Sequence, residues 1–162
     1  MSTLIITGPT GAGKNTVSQV LVTHRTKCAL IDVDDVRGMY MQPHKAPWDG
    51  EEGRAQHKLG AVNACLLANN FASNGLDVII LDVLIAETAR IYRELIPQSK
   101  IALLMPTYEE ACIRFTKRPP TITLEEFKIV YEWQQNFTDY DGKIDNTQLT
   151  VQETAEKLSM FM

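Results

Sequence analysis

The sequence feature that most constrains this fold is a glycine-rich segment near the start of the chain. Residues 8–15 read GPTGAGKN, which matches the spacing G-x-x-x-x-G-K, and they follow the apolar run from Leu4 to Ile6. In such a segment the glycines let backbone N–H groups surround phosphate oxygens, while the lysine and the start of the next helix add positive charge. The apolar run before it and the helical pattern after it are the context that this motif requires. We therefore predict a phosphate-binding loop for a nucleoside triphosphate.

Two features narrow the interpretation of this loop. Asn15 stands after the lysine, where a serine or threonine hydroxyl usually binds magnesium. The segment lacks the third glycine of the dinucleotide pattern G-x-G-x-x-G, and a plain glycine-rich turn would leave Lys14 unexplained. The predicted nucleotide-binding residues of the loop are Gly8, Thr10, Gly11, Ala12, Gly13, Lys14, Asn15 and Thr16.

Length and composition favour a single soluble domain over residues 1–162. Hydrophobic residues make up 44% of the chain and charged residues 22%, which is typical of globular proteins. No apolar run approaches the roughly 18 residues of a membrane span, and the first residues carry no basic region of a signal peptide, so we expect a cytoplasmic protein without a membrane partner. Cys28, Cys65 and Cys112 are far apart in apolar patterns, which is typical of free thiols.

Short apolar runs alternate with longer helical patterns, which predicts a three-layer α/β fold with a parallel sheet. Thr123 with Glu126 and Thr150 with Glu153 form the spacing of capping boxes, and Gly75 is placed to end a long helix. The predicted strands are 3–7, 27–31, 77–81, 100–105 and 142–144. The predicted helices lie near 14–25, 35–41, 51–74, 86–95, 107–117, 123–137 and 150–160. In such a fold, ligands bind at the carboxyl ends of the strands.

Carboxylates follow the second and third predicted strands. Asp32, Asp34 and Asp35 come at the end of the second, where one of them can accept a proton from a hydroxyl acceptor. We favour Asp34 as this base with Asp32 beside the acceptor, and we assign the cap of the next helix to Asp35. Asp82 follows the third strand in the layout of an acid that holds magnesium, and the amide oxygen of Asn15 is a weaker second ligand.

Two arginines and an aromatic loop complete the candidate site. Arg114 and Arg118 lie one helical turn apart before Pro119-Pro120, so we predict that they clamp a phosphoryl group from a lid over about residues 114–124. Residues 34–60 are the predicted acceptor-binding region. Its predicted acceptor contacts, besides the two aspartates, are Arg37, Tyr40, Trp48 and Arg54. The three histidines, His24, His44 and His57, lack the spacing of metal ligands, and Tyr131, Trp133 and Phe137 have the spacing of packing residues.

With these residues in place, the chain resembles the small P-loop kinases, among them nucleoside monophosphate kinases, shikimate and gluconate kinases, and chloramphenicol phosphotransferase. Lys14-Asn15-Thr16 is similar to the G-K-G-T loop ending of adenylate and cytidylate kinases, where the residue after lysine also lacks a hydroxyl. Asp32-Val33-Asp34 is similar to the D-x-D of shikimate kinases. The resemblance implies a five-stranded sheet in the order 2-3-1-4-5 and places Asn146 and Thr147 beside adenine. The D-x-x-x-x-R lid pattern and the glycine pair of shikimate kinases are absent, which leaves the acceptor open.

These features predict an ATP-dependent phosphotransferase that uses Mg²⁺ and moves the γ-phosphate to a hydroxyl of a small molecule. Lys14, Asp34, Arg114 and Arg118 are its predicted catalytic residues, and the acceptor is a metabolite, a nucleoside or nucleotide, or an antibiotic. A polynucleotide 5′-kinase needs a basic channel, which the net charge of −4 disfavours. The chain lacks the D-x-x-G and N-K-x-D motifs of a nucleotide-dependent switch. Only Asn15 suggests a nucleotide-binding protein without an acceptor. Either a monomer or a homodimer fits the sequence.

Overall fold

The computed structural model describes residues 1–162 and centres on a parallel sheet of five strands. The order of the strands is β2-β3-β1-β4-β5, as the resemblance implied. The central strands are continuous apolar runs because both faces of the sheet are covered by helices. The strands are β1 (Thr3–Thr7), β2 (Cys28–Asp32), β3 (Asp77–Leu81), β4 (Lys100–Leu104) and β5 (Gly142–Ile144).

Seven helices connect and flank these strands. Thr107, Thr123 and Thr150 cap three of them, and the last two form the predicted capping boxes with Glu126 and Glu153. Gly75 follows the long third helix with a φ of 83°, a conformation that costs glycine little. The helices are α1 (Lys14–Thr23), α2 (Val33–Gly38), α3 (Gly50–Ser73), α4 (Ala86–Leu95), α5 (Tyr108–Thr116), α6 (Leu124–Asn136) and α7 (Val151–Ser159).

The two faces of the sheet bury different sets of helices. On one face, Ile5 and Ile80 pack towards the alanine-rich side of α3, where Ala61 and Ala64 are fully buried. On the other face, Leu4 and its neighbours pack against α1 and α7. The small residues of α3 let this helix lie close to the sheet, which brings its first turns near the strand ends.

The start of α2 corrects one prediction. This helix begins at Val33, not at 35, and its cap is Asp32, whose side chain accepts a hydrogen bond of 3.1 Å from the N–H of Asp34. Asp35 lies inside the first turn, so the expected cap at Asp35 is wrong. Because β2 passes directly into the helix, Asp34 is a helical residue on the rim of the sheet.

None of the helices combines the length and apolarity that crossing a bilayer requires.

Candidate active site

The glycine-rich loop lies between the end of β1 and the start of α1 and is held from two sides. Gly11 has a φ of 84°, and a side chain there would collide with the backbone carbonyl of Ala111. The amide of Asn146, from the loop after β5, donates a 2.9 Å hydrogen bond to the carbonyl of Ala12. The loop is therefore fixed against both α5 and the 145–147 segment, with its backbone N–H groups at the positive end of α1.

Lys14 spans the loop with its side chain. Its ammonium donates to the carbonyls of Gly8, at 2.7 Å, and Pro9, at 3.3 Å. Burial lowers the pKa of Lys14, while the nearby carboxylates of Asp34 and Asp32 act to raise it. The lysine thus lies where the phosphates of a nucleotide would approach. It is close enough to these aspartates for their charge to affect its pKa.

Asn15 and Asp32 are joined directly across the base of the site. The amide Nδ2 of Asn15 donates to Asp32 Oδ2 at 2.8 Å. The same aspartate caps α2 through its other oxygen. Asn15 stands where a serine or threonine is usual, and its side chain has Asp32 as a partner. The shorter side chain of serine or threonine would reach Asp32 less readily.

Asp82 lies at the end of β3 and is buried, with every carboxylate oxygen engaged. Oδ2 accepts a 2.8 Å hydrogen bond from the hydroxyl of Tyr92, and Oδ1 accepts one of 2.8 Å from the N–H of Val83. His57 Nε2 lies 3.5 Å from Oδ1. Burial and the charge of Asp82 raise the pKa of Tyr92 well above its ordinary value, so its hydroxyl remains a donor.

The segment after Asp82 is fixed by a buried polar network. Thr7 at the end of β1 donates to Gln134 of α6 at 2.6 Å and accepts from the N–H of Leu84 at 2.9 Å. Gln134 in turn donates to the carbonyl of Leu84 at 2.7 Å. Since all three groups are buried and satisfied, this network sets the position of α6 relative to the strand ends.

A cleft of about 420 Å³ opens beside the phosphate-binding loop. It brings together Asp34, Arg37 and Trp48, which the sequence predicts as acceptor contacts, with Asp82. Its full lining is Thr10, Asp34, Arg37, His44, Ala46, Pro47, Trp48, His57, Asp82, Val83, Thr121, Ile122, Glu126, Val130 and Trp133. The cleft is of the size that holds a small molecule.

Within the cleft, Asp34 and Arg37 form a pair. Arg37 NH1 lies 3.2 Å from Asp34 Oδ1, and NH2 donates to the carbonyl of Lys45 at 2.9 Å. The Asp34 side chain is 81% exposed, whereas Arg37 is buried. The carboxylate of Asp34 is thus held at the rim by a buried cation and stays open to an acceptor.

Three predicted acceptor contacts do not line the cleft. One is Asp32, which caps α2 and accepts a hydrogen bond from Asn15. The hydroxyl of Tyr40 lies 3.4 Å from Glu52 on α3 and does not line the cleft. Arg54 lines a neighbouring groove beside Glu87. The structure does not bring any of these three residues to the cleft that holds Asp34.

The two arginines before the prolines have different surroundings. Arg114 donates to Glu110 at 2.7 Å and to the carbonyls of Asn146 and Thr147, at 3.0 and 3.4 Å. Arg118 is exposed, and its charge acts to lower the pKa of Lys14. The two arginines therefore differ in their contacts: Arg114 is bonded to Glu110 and to the 145–147 loop, and the joint clamp stays a prediction.

Three cleft residues are missing from the sequence-based site. His57 has no role in that prediction, Trp133 is assigned to packing, and Glu126 is considered only as a cap. In the structure Trp48 donates to Glu126 at 3.0 Å and contacts Trp133 edge-on at 6.2 Å. Tyr131 and Phe137 are buried packing residues, as expected.

A helical pattern could have indicated His57. It precedes Ala61, Ala64 and Ala68 by four, seven and eleven positions, which places it on the buried face of α3. A histidine in such a stripe is buried next to whatever the helix covers, and here that is the end of β3.

No protein-family model and no curated protein matches the chain. Solved structures do: a sugar kinase from a Janibacter species has a TM-score of 0.77 at 14% identity, covering 99% of this chain and 94% of that one. APS kinase of Mycobacterium tuberculosis, in complex with AMPPNP and APS, has a TM-score of 0.72 at 15% identity, with 99% and 96% covered. Shikimate kinase of Acinetobacter baumannii, in complex with shikimate, has 0.66 at 17%, with 99% and 92% covered. The chain therefore has the fold of the small P-loop kinases.

Proposed function

We propose that this protein is an ATP-dependent phosphotransferase that moves the γ-phosphate of ATP to a hydroxyl group of a small molecule. The observation that carries this proposal is the cleft that joins Thr10 of the phosphate-binding loop to Asp34 and Asp82. A loop that binds phosphates and an exposed carboxylate on the opposite rim are the two groups that a phosphoryl transfer to a hydroxyl requires.

Each part of the site has a role in this reaction. The loop from Gly8 to Thr16 binds the phosphates, and Lys14 leaves its carbonyl partners to contact the β- and γ-phosphates. Asp34 accepts the proton of the attacking hydroxyl. Arg118 adds positive charge to the transferring group, while Arg114 and Asn146 support the 145–147 loop at the nucleotide base.

Magnesium fits the donor set as an ion bound mainly by phosphate oxygens and water. No group of three or more histidine, cysteine, aspartate or glutamate side chains could hold a metal ion alone. Asn15, Asp32 and Asp82 are the residues that would hold it. Both oxygens of each aspartate already accept hydrogen bonds, so both aspartates would act mainly through water. When bound, the ion would neutralise charge that develops on the phosphate oxygens.

The cleft also supports the proposed division of the chain. Seven of its lining residues, from Asp34 to His57, belong to the acceptor-binding region proposed for about residues 34–60. Thr121 and Ile122 belong to the lid proposed for about residues 114–124. A nucleic-acid acceptor is disfavoured by this lining, since the cleft has no basic channel.

The proposal is tested by measuring ADP release with ATP and Mg²⁺ across a panel of alcohols, nucleosides and antibiotics. We expect at least one acceptor to raise ADP release above the rate without acceptor. In Asp34→Asn, that acceptor-dependent rate should fall by about 10²-fold to 10³-fold while ATP binding is retained.

The matched control is Asp35→Asn, which removes an exposed carboxylate next in sequence that does not line the cleft. It should turn over the acceptor as the unchanged protein does. A panel in which no acceptor stimulates ADP release, or equal losses in the two variants, would contradict the proposed reaction or the role of Asp34.

A further inference from the structure

The charges that line the cleft are unequal. Three carboxylates, Asp34, Asp82 and Glu126, face it together with one guanidinium group, that of Arg37. Arg37 is buried and already bonded to Asp34 and to the carbonyl of Lys45. His57 Nε2 lies 3.5 Å from Asp82 Oδ1. His44 also lines the cleft, with its Nδ1 3.2 Å from the carbonyl of Tyr40. The carboxylates of the cleft thus outnumber its guanidinium groups three to one.

The cations near the cleft have other positions. Lys14 lies in the phosphate-binding loop, and Arg118 lies on the lid. Arg54 lines the neighbouring groove. Lys14 therefore lies towards the proposed nucleotide, and neither Arg118 nor Arg54 lines the cleft. The three carboxylates lie on the acceptor side.

Glu126 keeps its charge at the mouth of the cleft. It accepts hydrogen bonds from the N–H of Thr123 at 2.7 Å and from Trp48 Nε1 at 3.0 Å. The bond from the backbone of Thr123, followed by that from Trp48, lowers the pKa of Glu126. An acceptor with a carboxylate or phosphate group would therefore meet an ionised carboxylate here.

The part of the cleft next to Glu126 is apolar and partly aromatic. Trp48 and Trp133 meet edge-on, and Ile122 and Val130 lie on the same lining. Aromatic rings arranged in this way offer a large apolar contact to a flat group at small cost in conformational entropy. The cleft thus combines apolar and aromatic side chains with three carboxylates and a single guanidinium group.

We propose that the acceptor is an alcohol without negative charge that carries a flat, apolar group, and that phosphorylated and carboxylated acceptors are excluded. This inference rests on the proposed function, because it names the class of molecule that receives the phosphoryl group. The flat group lies against Trp48 and Trp133, and the hydroxyl reaches Asp34. An anionic group placed in the same cleft would lose hydration and meet three carboxylates, while the one guanidinium group, that of Arg37, already lies against Asp34.

Intrinsic fluorescence gives a direct test, because the only two tryptophans of the chain line this cleft. Two matched pairs are titrated in the presence of ADP and Mg²⁺: cytidine against CMP, and methyl 4-(hydroxymethyl)benzoate against 4-(hydroxymethyl)benzoate. Each pair shares a hydroxyl and a flat ring and differs in one anionic group. We expect the neutral member of each pair to bind about 10-fold or more tightly.

The variant Glu126→Gln sharpens this test. Glutamine removes the charge and keeps one carbonyl oxygen, which can accept from the Thr123 N–H or from Trp48 Nε1 in place of the two oxygens that Glu126 uses. Loss of the charge should narrow the difference within each pair. Glu125→Gln, next in sequence and exposed outside the cleft, is the matched control and should leave the difference unchanged.

The results separate this inference from the proposed reaction. Binding of the anionic members as tight as, or tighter than, that of the neutral ones would overturn it, as would failure of both neutral members to change the fluorescence. Neutral alcohols that bind but release no ADP with ATP and Mg²⁺ would instead overturn the reaction and leave the selectivity of the cleft standing.

Discussion

The proposed nucleotide side and the proposed acceptor side of this cleft are built in different ways. On the nucleotide side, backbone groups of residues 8–15 form the surface, and Asn146 and Arg114 hold the neighbouring loops in place. On the acceptor side, side chains from α2, α3, α6 and the loop before α3 form the surface. One side presents N–H groups and positive charge, and the other presents acids and aromatic rings.

This difference separates what the fold supplies from what the side chains supply. A backbone surface binds any ligand that has the shape and charge of a triphosphate. A surface of side chains changes with each substitution, so the acceptor side can acquire new selectivity while the loop is unchanged. Variants on the two sides should therefore fail in different ways.

The largest effect is expected on the nucleotide side, from Lys14→Met. Loss of the ammonium removes a positive charge from the transferring phosphoryl group, and kcat for the best acceptor should fall by about 10³-fold. Steady-state ADP release measures it. Lys27→Met, at the opposite end of β2 from the site, is the control and should retain full activity; comparable losses in both would remove the distinction between the two sides.

The second test compares the two arginines. Arg118→Ala should lower kcat by about 10²-fold, because Arg118 supplies free charge to the phosphoryl group. Arg114→Ala should act mainly on KM for ATP, because it releases the carbonyls of Asn146 and Thr147 from their support. Kinetics with ATP varied at saturating acceptor distinguish these outcomes. Equal losses of kcat with unchanged KM would support the joint clamp that the sequence suggests.

The third test concerns the hydrogen bond from Tyr92 to Asp82, which lies at the base of the acceptor side. Tyr92→Phe leaves the buried Asp82 without its hydroxyl donor and should lower the free energy of unfolding by about 2 kcal/mol. Tyr131→Phe, which removes a hydrogen bond to the uncharged carbonyl of Pro106, should cost about 1 kcal/mol. Urea denaturation of both variants gives the comparison. A smaller loss for Tyr92 than for Tyr131 would show that Asp82 does not depend on this bond.

The smallest effect is expected from Trp48→Phe. It keeps an aromatic ring against Trp133 but removes the hydrogen bond to Glu126, so KM for the acceptor should rise about fivefold, or about 1 kcal/mol, and by more than KM for ATP. Steady-state kinetics with each substrate varied in turn provide the measurement. A rise in KM for ATP alone would move Trp48 to the nucleotide side.

Much of the fold could be predicted because its signals are local in the sequence. The glycine spacing gives the loop, and the threonine and glutamate pairs at 123 and 126 and at 150 and 153 give two helix starts. The alternation of apolar runs and helical patterns gives the parallel sheet. The cap of α2 was harder, because Asp32, Asp34 and Asp35 all suit a cap and only the backbone shows where the strand ends.

The site was predicted less completely because its members meet only in three dimensions. His57 and Trp133 come from separate helices, and sequence spacing could not show that both face the cleft. For Arg114 the helical period was right, but the partner that decides its role lies 32 residues away at Asn146. Long-range partners of this kind are not encoded in a local motif.

The contacts of Glu126 have a kinetic consequence. The same carboxylate closes the capping box at Thr123, where the lid segment joins α6, and holds Trp48 on the acceptor loop. A displacement of the lid junction is therefore transmitted to the acceptor loop, and the reverse also holds. In the proposed reaction we therefore expect binding of one substrate to change the affinity for the other, and thermodynamic linkage requires the same factor in both directions.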